Sequence, residues 1–315
     1  MMDRGLLDLM IIRIPDIKPA ERGKLCRKLM GEDDLVRMSG PDLEALLGRP
    51  LKRYTAMDEV RRDAERDAAN AAKRGIRWVS LVSASYPPLL REIYDPPALL
   101  FYRGALPDAD KPAAAIVGTR KPGAAALKAA FDIGRGLGLQ GISVVSGLAL
   151  GIDATAHRGN LEGGAKTYAV LGSGVDEIYP SSNRPLARRI LEGGGGILSE
   201  YPPGTEPRKW HFPARNRIIS AMVRGTLIVE APAASGALIT ARFALEHGRD
   251  LWVSSAGLGA EGTARLAGEG AKIISFASDI LREWGIEEKV EQAEACGAST
   301  GRALADSLAR QLAIT

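Results

Sequence analysis

The sequence predicts an α/β protein with a mostly parallel, doubly wound sheet, preceded by a small helical domain. Three observations carry this expectation. From residue 113 onward short apolar runs alternate with helical stretches, glycine- or serine-rich turns follow successive runs, and the first 75 residues hold only helical patterns. Strand, helix, strand at this spacing implies parallel pairing with helices on both faces. A length of 315 residues suits about two domains, and 45% apolar with 25% charged residues is ordinary for a folded chain.

The elements follow in order. From Leu6 to Leu47 apolar residues recur at helical spacing, with breaks at Pro15, Pro19, Gly31 and Gly40-Pro41, which predicts a bundle of short helices. Asp58 to Lys73 is a mixed-sign stretch (Arg61, Arg62, Asp63, Glu65, Arg66, Asp67) that reads as an exposed helix laced by i,i+4 pairs such as Arg61 with Glu65. The expected first domain, with its linker helix, is therefore 1–75. Trp78 to Val82 is β-rich, and Tyr86-Pro87-Pro88 and Asp95-Pro96-Pro97 fix extended turns after it. Further strands are expected at Ala114 to Val117, Ile142 to Val145, Tyr168 to Leu171, Gly196 to Ser199, Leu227 to Val229, Leu251 to Val253 and Lys272 to Ile274. Helices fit at Ala124 to Leu139, Arg184 to Leu191 and Ala237 to His247. The second domain is thus 76–278, and residues 279–315 read as a short helical tail interrupted by Gly297 and Gly301.

Composition excludes several classes of function. Cys26 and Cys296 are far apart with no CxxC spacing, so neither a disulfide framework nor a zinc site is expected. No uncharged run approaches the ~18 apolar residues of a membrane helix, and Asp3, Arg4 and Asp8 interrupt the N-terminal apolar run, so no secretory leader or membrane span is expected and the protein is placed in the cytoplasm. Lysine plus arginine exceed aspartate plus glutamate by 42 to 38, a net charge of +4 that names no partner. With 36 glycines and only 5% aromatics, the placement of those residues carries the information.

That placement is informative because open α/β sheets bind ligands at the carboxyl ends of their strands. After the first of the parallel strands comes Gly118-Thr119-Arg120-Lys121-Pro122-Gly123, a close backbone turn opening a helix beside a guanidinium, which reads as an anion site. It is neither a Walker loop nor GxGxxG. The second is followed by Ser146-Gly147, with Gly151, Asp153 and His157 behind it. Asp153 and His157 stand one helical turn apart, and a structural pair or cap competes there with an acid–base pair. Gly172-Ser173-Gly174 follows the third strand, and Ser199-Glu200 ends the fourth.

The loop after Glu200 holds the densest cluster in the chain, Arg208-Lys209-Trp210-His211-Phe212-Pro213-Ala214-Arg215-Asn216-Arg217. Cations that follow phosphates and rings that stack on bases are what a single-stranded nucleic acid requires. The competing reading makes the rings core anchors and the arginines members of internal ion pairs. Glu230 ends the next strand as a cap or arginine partner, with a general base as the sharper alternative, and Ser235-Gly236 opens a further helix. No catalytic or metal-binding constellation and no cofactor site is expected.

Taken in order, Gly118-Thr119-Arg120, Ser146-Gly147-Leu148-Ala149 through Gly151-Ile152-Asp153 and Ala156-His157, Tyr179-Pro180, Ser199-Glu200, Phe212-Pro213-Ala214-Arg215-Asn216-Arg217-Ile218 and Ser235-Gly236-Ala237 resemble the DprA (Smf) DNA-processing proteins, from about Tyr86 to Ala271. The resemblance implies an extended Rossmann fold behind a SAM- or HhH-like helical domain. It implies a non-catalytic protein that binds and protects incoming single-stranded DNA, dimerises, and loads the RecA recombinase during natural transformation. It places Gly118, Thr119, Arg120, Ser146, Gly147, Lys209, Phe212, Arg215, Asn216 and Arg217 at the DNA, with Gly151, Asp153, His157, Gly172, Gly174, Glu200, Glu230, Ser235 and Gly236 lining or supporting the pocket. The chain departs from the family pattern at Ser254-Ser255-Ala256-Gly257, where Pro-Gly is common, and at Thr263, where asparagine is common. The 37 residues from Asp279 are too few for the winged-helix module that many members carry. The alternative is a nucleotide-processing enzyme of the related phosphoribohydrolase-like group, although Gly257 to Thr263 lacks the prolyl start and downstream glutamate of that group's signature.

Overall fold

In the computed structural model, which describes residues 5–288, the strand β3 (Ala113–Val117) has every residue buried. Its Ala-Ala-Ala-Ile-Val sequence has no polar alternation, as a strand covered on both faces requires. It pairs in parallel with β4 (Ser143–Ser146) on one side and with β7 (Gly225–Ile228) on the other, so that Ala115 faces both Val145 and Thr226. With β1 (Arg77–Ser80), β2 (Leu99–Gly104), β5 (Thr167–Val170), β6 (Gly196–Ser199), β8 (Asp250–Ser254) and β9 (Lys272–Ile274), the sheet runs in the order β1-β2-β6-β5-β4-β3-β7-β8-β9. From β6 to β9 the neighbours are parallel, while β1–β2 and β2–β6 are antiparallel. The chain winds outward from β3 to β6, then returns to lay β7 on the other side of β3. The crevice at the carboxyl ends of β3 and β7 is the topological switch point of the sheet.

Helices α1 (Gly5–Arg13), α2 (Pro19–Lys28), α3 (Glu32–Val36), α4 (Gly40–Leu47) and α5 (Met57–Lys73) precede the sheet. Their apolar residues, including Leu7, Met10, Leu25 and Val60, share one buried cluster with Phe101, Leu148, Ala169 and Ile197 from the sheet and the turn after β4. The other face of the sheet is covered by a cluster that joins Tyr86, Val117, Val145, Ile218, Ile219 and Val253. The remaining helices are α6 (Pro88–Arg91), α7 (Ala124–Leu139), α8 (Ile152–Glu162), α9 (Arg184–Glu192), α10 (His211–Ala221), α11 (Gly236–Glu246), α12 (Glu261–Gly268) and α13 (Ala277–Trp284). Helices α7 and α8 pack backbone to backbone, because a Cβ at Gly159 would lie 2.2 Å from the Phe131 carbonyl oxygen. The division of the chain into two units falls after Ile280, so α1–α12 and the whole sheet belong to the first.

Two of the differences from the sequence expectation bear on the sheet and the site. Strand β2 was not expected, since Pro96-Pro97 marks a turn; the chain emerges from the prolines already extended and enters the ladder two residues later, at Leu99, where an amide is again present to donate. The basic cluster was expected in a loop, yet from His211 onward it is the first half of α10. Pro213 sits in the first turn of that helix, where its missing N–H leaves no hydrogen bond unmade. Of the expected tail, residues 289–315, with Cys296, Gly297 and Gly301, lie outside the described residues.

Candidate nucleic-acid interface

The switch point is a groove of about 860 Å³. One wall is the turn after β3. The Thr119 amide donates to the Glu230 carbonyl at 2.8 Å, tying this turn to the one after β7, and the Lys121 amide donates to Thr119 Oγ1 at 3.2 Å. These contacts turn Gly118, Thr119, Arg120 and Lys121 into the groove. Arg120 is exposed and has no ion-pair partner among the described residues. The opposite wall is the turn after β7, with Ser235 and Gly236. Ser235 caps α11 by accepting from the Ala237 amide at 3.3 Å, and Asn216 Nδ2 donates to the Gly236 carbonyl at 3.2 Å.

Arg215 forms the floor. Its guanidinium donates from Nη1 to the carbonyls of Gly147, at 2.9 Å, and Val170. Only 4% of the residue is exposed, and burial pushes the guanidinium down to about 10. Beneath it Asp153 accepts from the Gly147 amide at 3.1 Å; burial raises this carboxyl above its usual range, against the pull of Arg215 and of the Ala149, Gly147 and Gly118 amides. The turn is entered through Gly151, whose φ of +78° favours a residue without Cβ. The floor is therefore a fixed positive charge held by carbonyls and one buried carboxylate, with an edge turned to the groove.

Phe212 stands at the rim on the first turn of α10. The Arg120 guanidinium lies 5.6 Å from its ring centre, and Tyr179 lies 5.5 Å away on a tilted ring. His211 holds this turn in register: its Nδ1 is 3.0 Å from the Gly172 carbonyl, and its ring stacks on Tyr201 with centres 4.0 Å apart. Gly172 gives Phe212 close approach there, since a Cβ would stand 3.0 Å from its ring. Lys209 completes the rim as an exposed cation. Two exposed cations, a buried guanidinium and a partly accessible ring thus meet in one concavity, a combination suited to a polyanion carrying flat bases.

The family described as DNA recombination-mediator protein A matches residues 77–285 of this sequence. The chain belongs to that family. It is 35% identical over 289 residues to the DNA processing protein DprA of Bacillus subtilis, covering 90% of this chain and 96% of the relative. It is 42% identical over 209 residues to the DprA of Streptococcus pneumoniae, covering 65% of this chain and 73% of the relative. The solved structure of the pneumococcal protein superposes with a TM-score of 0.65 at 33% identity, over 87% of this chain and 99% of that one. A structure of DNA processing protein A from Helicobacter pylori, described for its single-stranded DNA binding mode, gives a TM-score of 0.59 at 30% identity, over 66% of this chain and 95% of that one.

Within this recombination-mediator protein A fold, several residues singled out from sequence lie away from the groove. Ser146 is fully buried and donates to the Ile116 carbonyl at 2.7 Å, so its hydroxyl ties β4 to β3. Arg217 is 5% exposed and faces the opposite side of α10, donating to both Glu200 oxygens at 3.0 and 2.7 Å and to Asp95 at 3.0 Å. Burial opposes its charge, but Glu200 and Asp95 more than offset that and hold the guanidinium above its ordinary value. His157 is not paired with Asp153; it meets Thr167 Oγ1 at 2.7 Å in the core. Glu230 accepts from the Gly123 amide at 3.0 Å, capping α7, and Gly174 lets the backbone close on the 202–205 turn. Lys121, part of the turn read as an anion site, lines the groove, and so does Tyr179, which was not expected there; its adjacency to Pro180 was the available signal. Among the described residues no cluster of histidine, cysteine and carboxylates is placed to hold a metal, and no helix is long and apolar enough to cross a membrane.

Proposed function

We propose that the chain binds single-stranded DNA in the switch-point groove and acts as a non-catalytic recombination mediator. The observation that carries this reading is the convergence of Arg120, Lys209, Arg215 and Phe212 on one concavity. Arg120 and Lys209 pair with phosphates, Arg215 supplies a fixed charge at the floor, and Phe212 offers its ring to a base. Arg217 and Ser146 serve the site indirectly, by fixing α10 and the β3–β4 pairing. The relative described for its single-stranded DNA binding mode supports the choice of ligand.

Binding rather than bond cleavage fits the chemistry of the floor. Asp153, the carboxylate nearest Arg215, is occupied by the Gly147 amide, and no nucleophile with an adjacent base faces it among the described residues. Release of free base from nucleoside monophosphates by the purified protein overturns this point in favour of a nucleotide-processing enzyme. We infer further that the protein works in the cytoplasm as a homodimer, protects incoming DNA and loads RecA onto it during natural transformation. The family description as a recombination mediator supports that role. Faster RecA nucleation on an oligonucleotide in the presence of the chain is the expected result, and a monomer in sedimentation at micromolar concentration counts against the dimer.

The groove assignment is tested by ultraviolet crosslinking of an oligonucleotide carrying 5-iododeoxyuridine, followed by peptide mapping. Crosslinks on the peptide from Trp210 to Arg215 are expected. Crosslinks confined to other surfaces contradict the assignment.

A further inference from the structure

The turn before α10 carries one feature the groove does not use. Trp210 is 65% exposed and lies outside the groove lining. Its ring meets His211 edge-on, with centres 5.9 Å apart at 81°, and has the Arg208 guanidinium 5.6 Å from its centre. A single exposed aromatic is common on protein surfaces and by itself means little. Here two further observations bear on it. Arg208 and Lys209, the residues before it, are exposed cations with no ion pair among the described residues, so the ring stands in a locally positive field. Lys209 and Phe212 both line the groove, and consecutive Cα atoms are about 3.8 Å apart, so the backbone of Trp210 lies within a residue of the groove's rim.

We propose that Trp210 and Arg208 form a second stacking platform that takes a base of the same DNA strand as it leaves the groove, a subsite that rests on the groove reading above. Arg208 supplies a phosphate partner beside the ring. The His211–Tyr201 stack and the His211 contact to the Gly172 carbonyl fix the neighbouring residue, so the platform is anchored to the sheet edge through Gly172. Such a platform also discriminates by strandedness, because a duplex presents phosphates to Arg208 but keeps its base faces stacked inside, whereas a single strand offers both.

The test is a fluorescence-anisotropy titration of the full chain with labelled oligothymidylates of about 4, 6, 8 and 12 nucleotides, a range that brackets ordinary single-strand site sizes. In Trp210→Ala, binding of the shortest oligonucleotide that fills the groove is expected to match wild type, while the longer ones lose about 5- to 160-fold, as for one lost base stack. Trp210→Phe keeps a ring and is expected to retain most of that affinity. The ring is exposed, so folding is not at stake in either variant. If wild type binds and Trp210→Ala follows it at every length, the platform is wrong and the groove stands. If wild type binds no oligonucleotide at low salt, the groove reading falls and the platform with it.

Discussion

The guanidinium of Arg215 lies directly against Gly147, donating to its carbonyl at 2.9 Å, and a Cβ added at 147 would stand 2.6 Å from Arg215 Nη2. The glycine is therefore a steric requirement of the charge at the floor. Arg215 cannot yield without losing its bonds to Gly147 and Val170, and each buried carbonyl left without a donor costs about 1–3 kcal/mol. Gly147→Ala is expected to lower the urea unfolding free energy by about 1–3 kcal/mol and to weaken oligonucleotide binding with it. An unchanged unfolding midpoint would show that the two residues are not in contact.

Arg217 supports the site from the far side of α10. Removing one partner of a buried pair leaves an uncompensated charge, so Arg217→Ala is expected to cost about 3–5 kcal/mol in chemical unfolding. At a temperature where the variant stays folded, its binding should keep the wild-type dependence on salt. A shallower dependence would instead make Arg217 a phosphate contact.

In the proposed reading Phe212 contributes through stacking and not through charge. Phe212→Ala is expected to lose about 1–3 kcal/mol of affinity for an oligothymidylate, while the slope of log K against log salt stays the same. Equal affinity in anisotropy would remove the ring from the interface.

His157 makes stability depend on pH. Thr167 Oγ1 donates to the Val144 carbonyl, so it accepts from His157 Nδ1, and the buried Nε2 carries the lone pair without a partner. Burial pushes the imidazole down to about 3, with Arg215 and Arg158 adding to the shift. The folded value lies below the ordinary 6.5, so the unfolded chain takes up a proton that the folded one refuses as pH falls from 6.5 toward 3. The stability present above that window is lost within it. Unfolding free energies measured over about pH 4–6 should fall more steeply in wild type than in His157→Gln, by up to ~1.4 kcal/mol per pH unit. Parallel curves would mean that the histidine is solvated.

The parallel strands were legible because runs such as Ala114 to Val117 are apolar on both faces and end in turn residues, and the groove was legible because those turns share one sheet edge. Strand β2 was hidden behind Pro96-Pro97, whose turn chemistry masked the Leu99 ladder. The first half of α10 was hidden by Pro213, which breaks a helix interior but is tolerated in a first turn. Direction was the least legible quantity. Arg215 and Arg217 are two residues apart on one helix, about 200° around its axis, so one meets the groove and the other a carboxylate pair. Nothing local in the sequence shows that Asp95, 122 residues upstream, waits on that side. Ser146 likewise turns its hydroxyl to Ile116 and not to a ligand.

Arg215 and Arg217 are both structural as well as charged, so the central claim is tested most directly on the two exposed cations of the groove. Arg120→Ala with Lys209→Ala leaves the core untouched, and anisotropy titrations of an oligothymidylate against salt compare it with wild type. If the groove holds the strand, the double variant binds more weakly and its slope of log K against log salt is shallower by about 1.4, roughly 0.7 for each lost phosphate contact. Identical affinity and slope would place the DNA elsewhere and contradict the account.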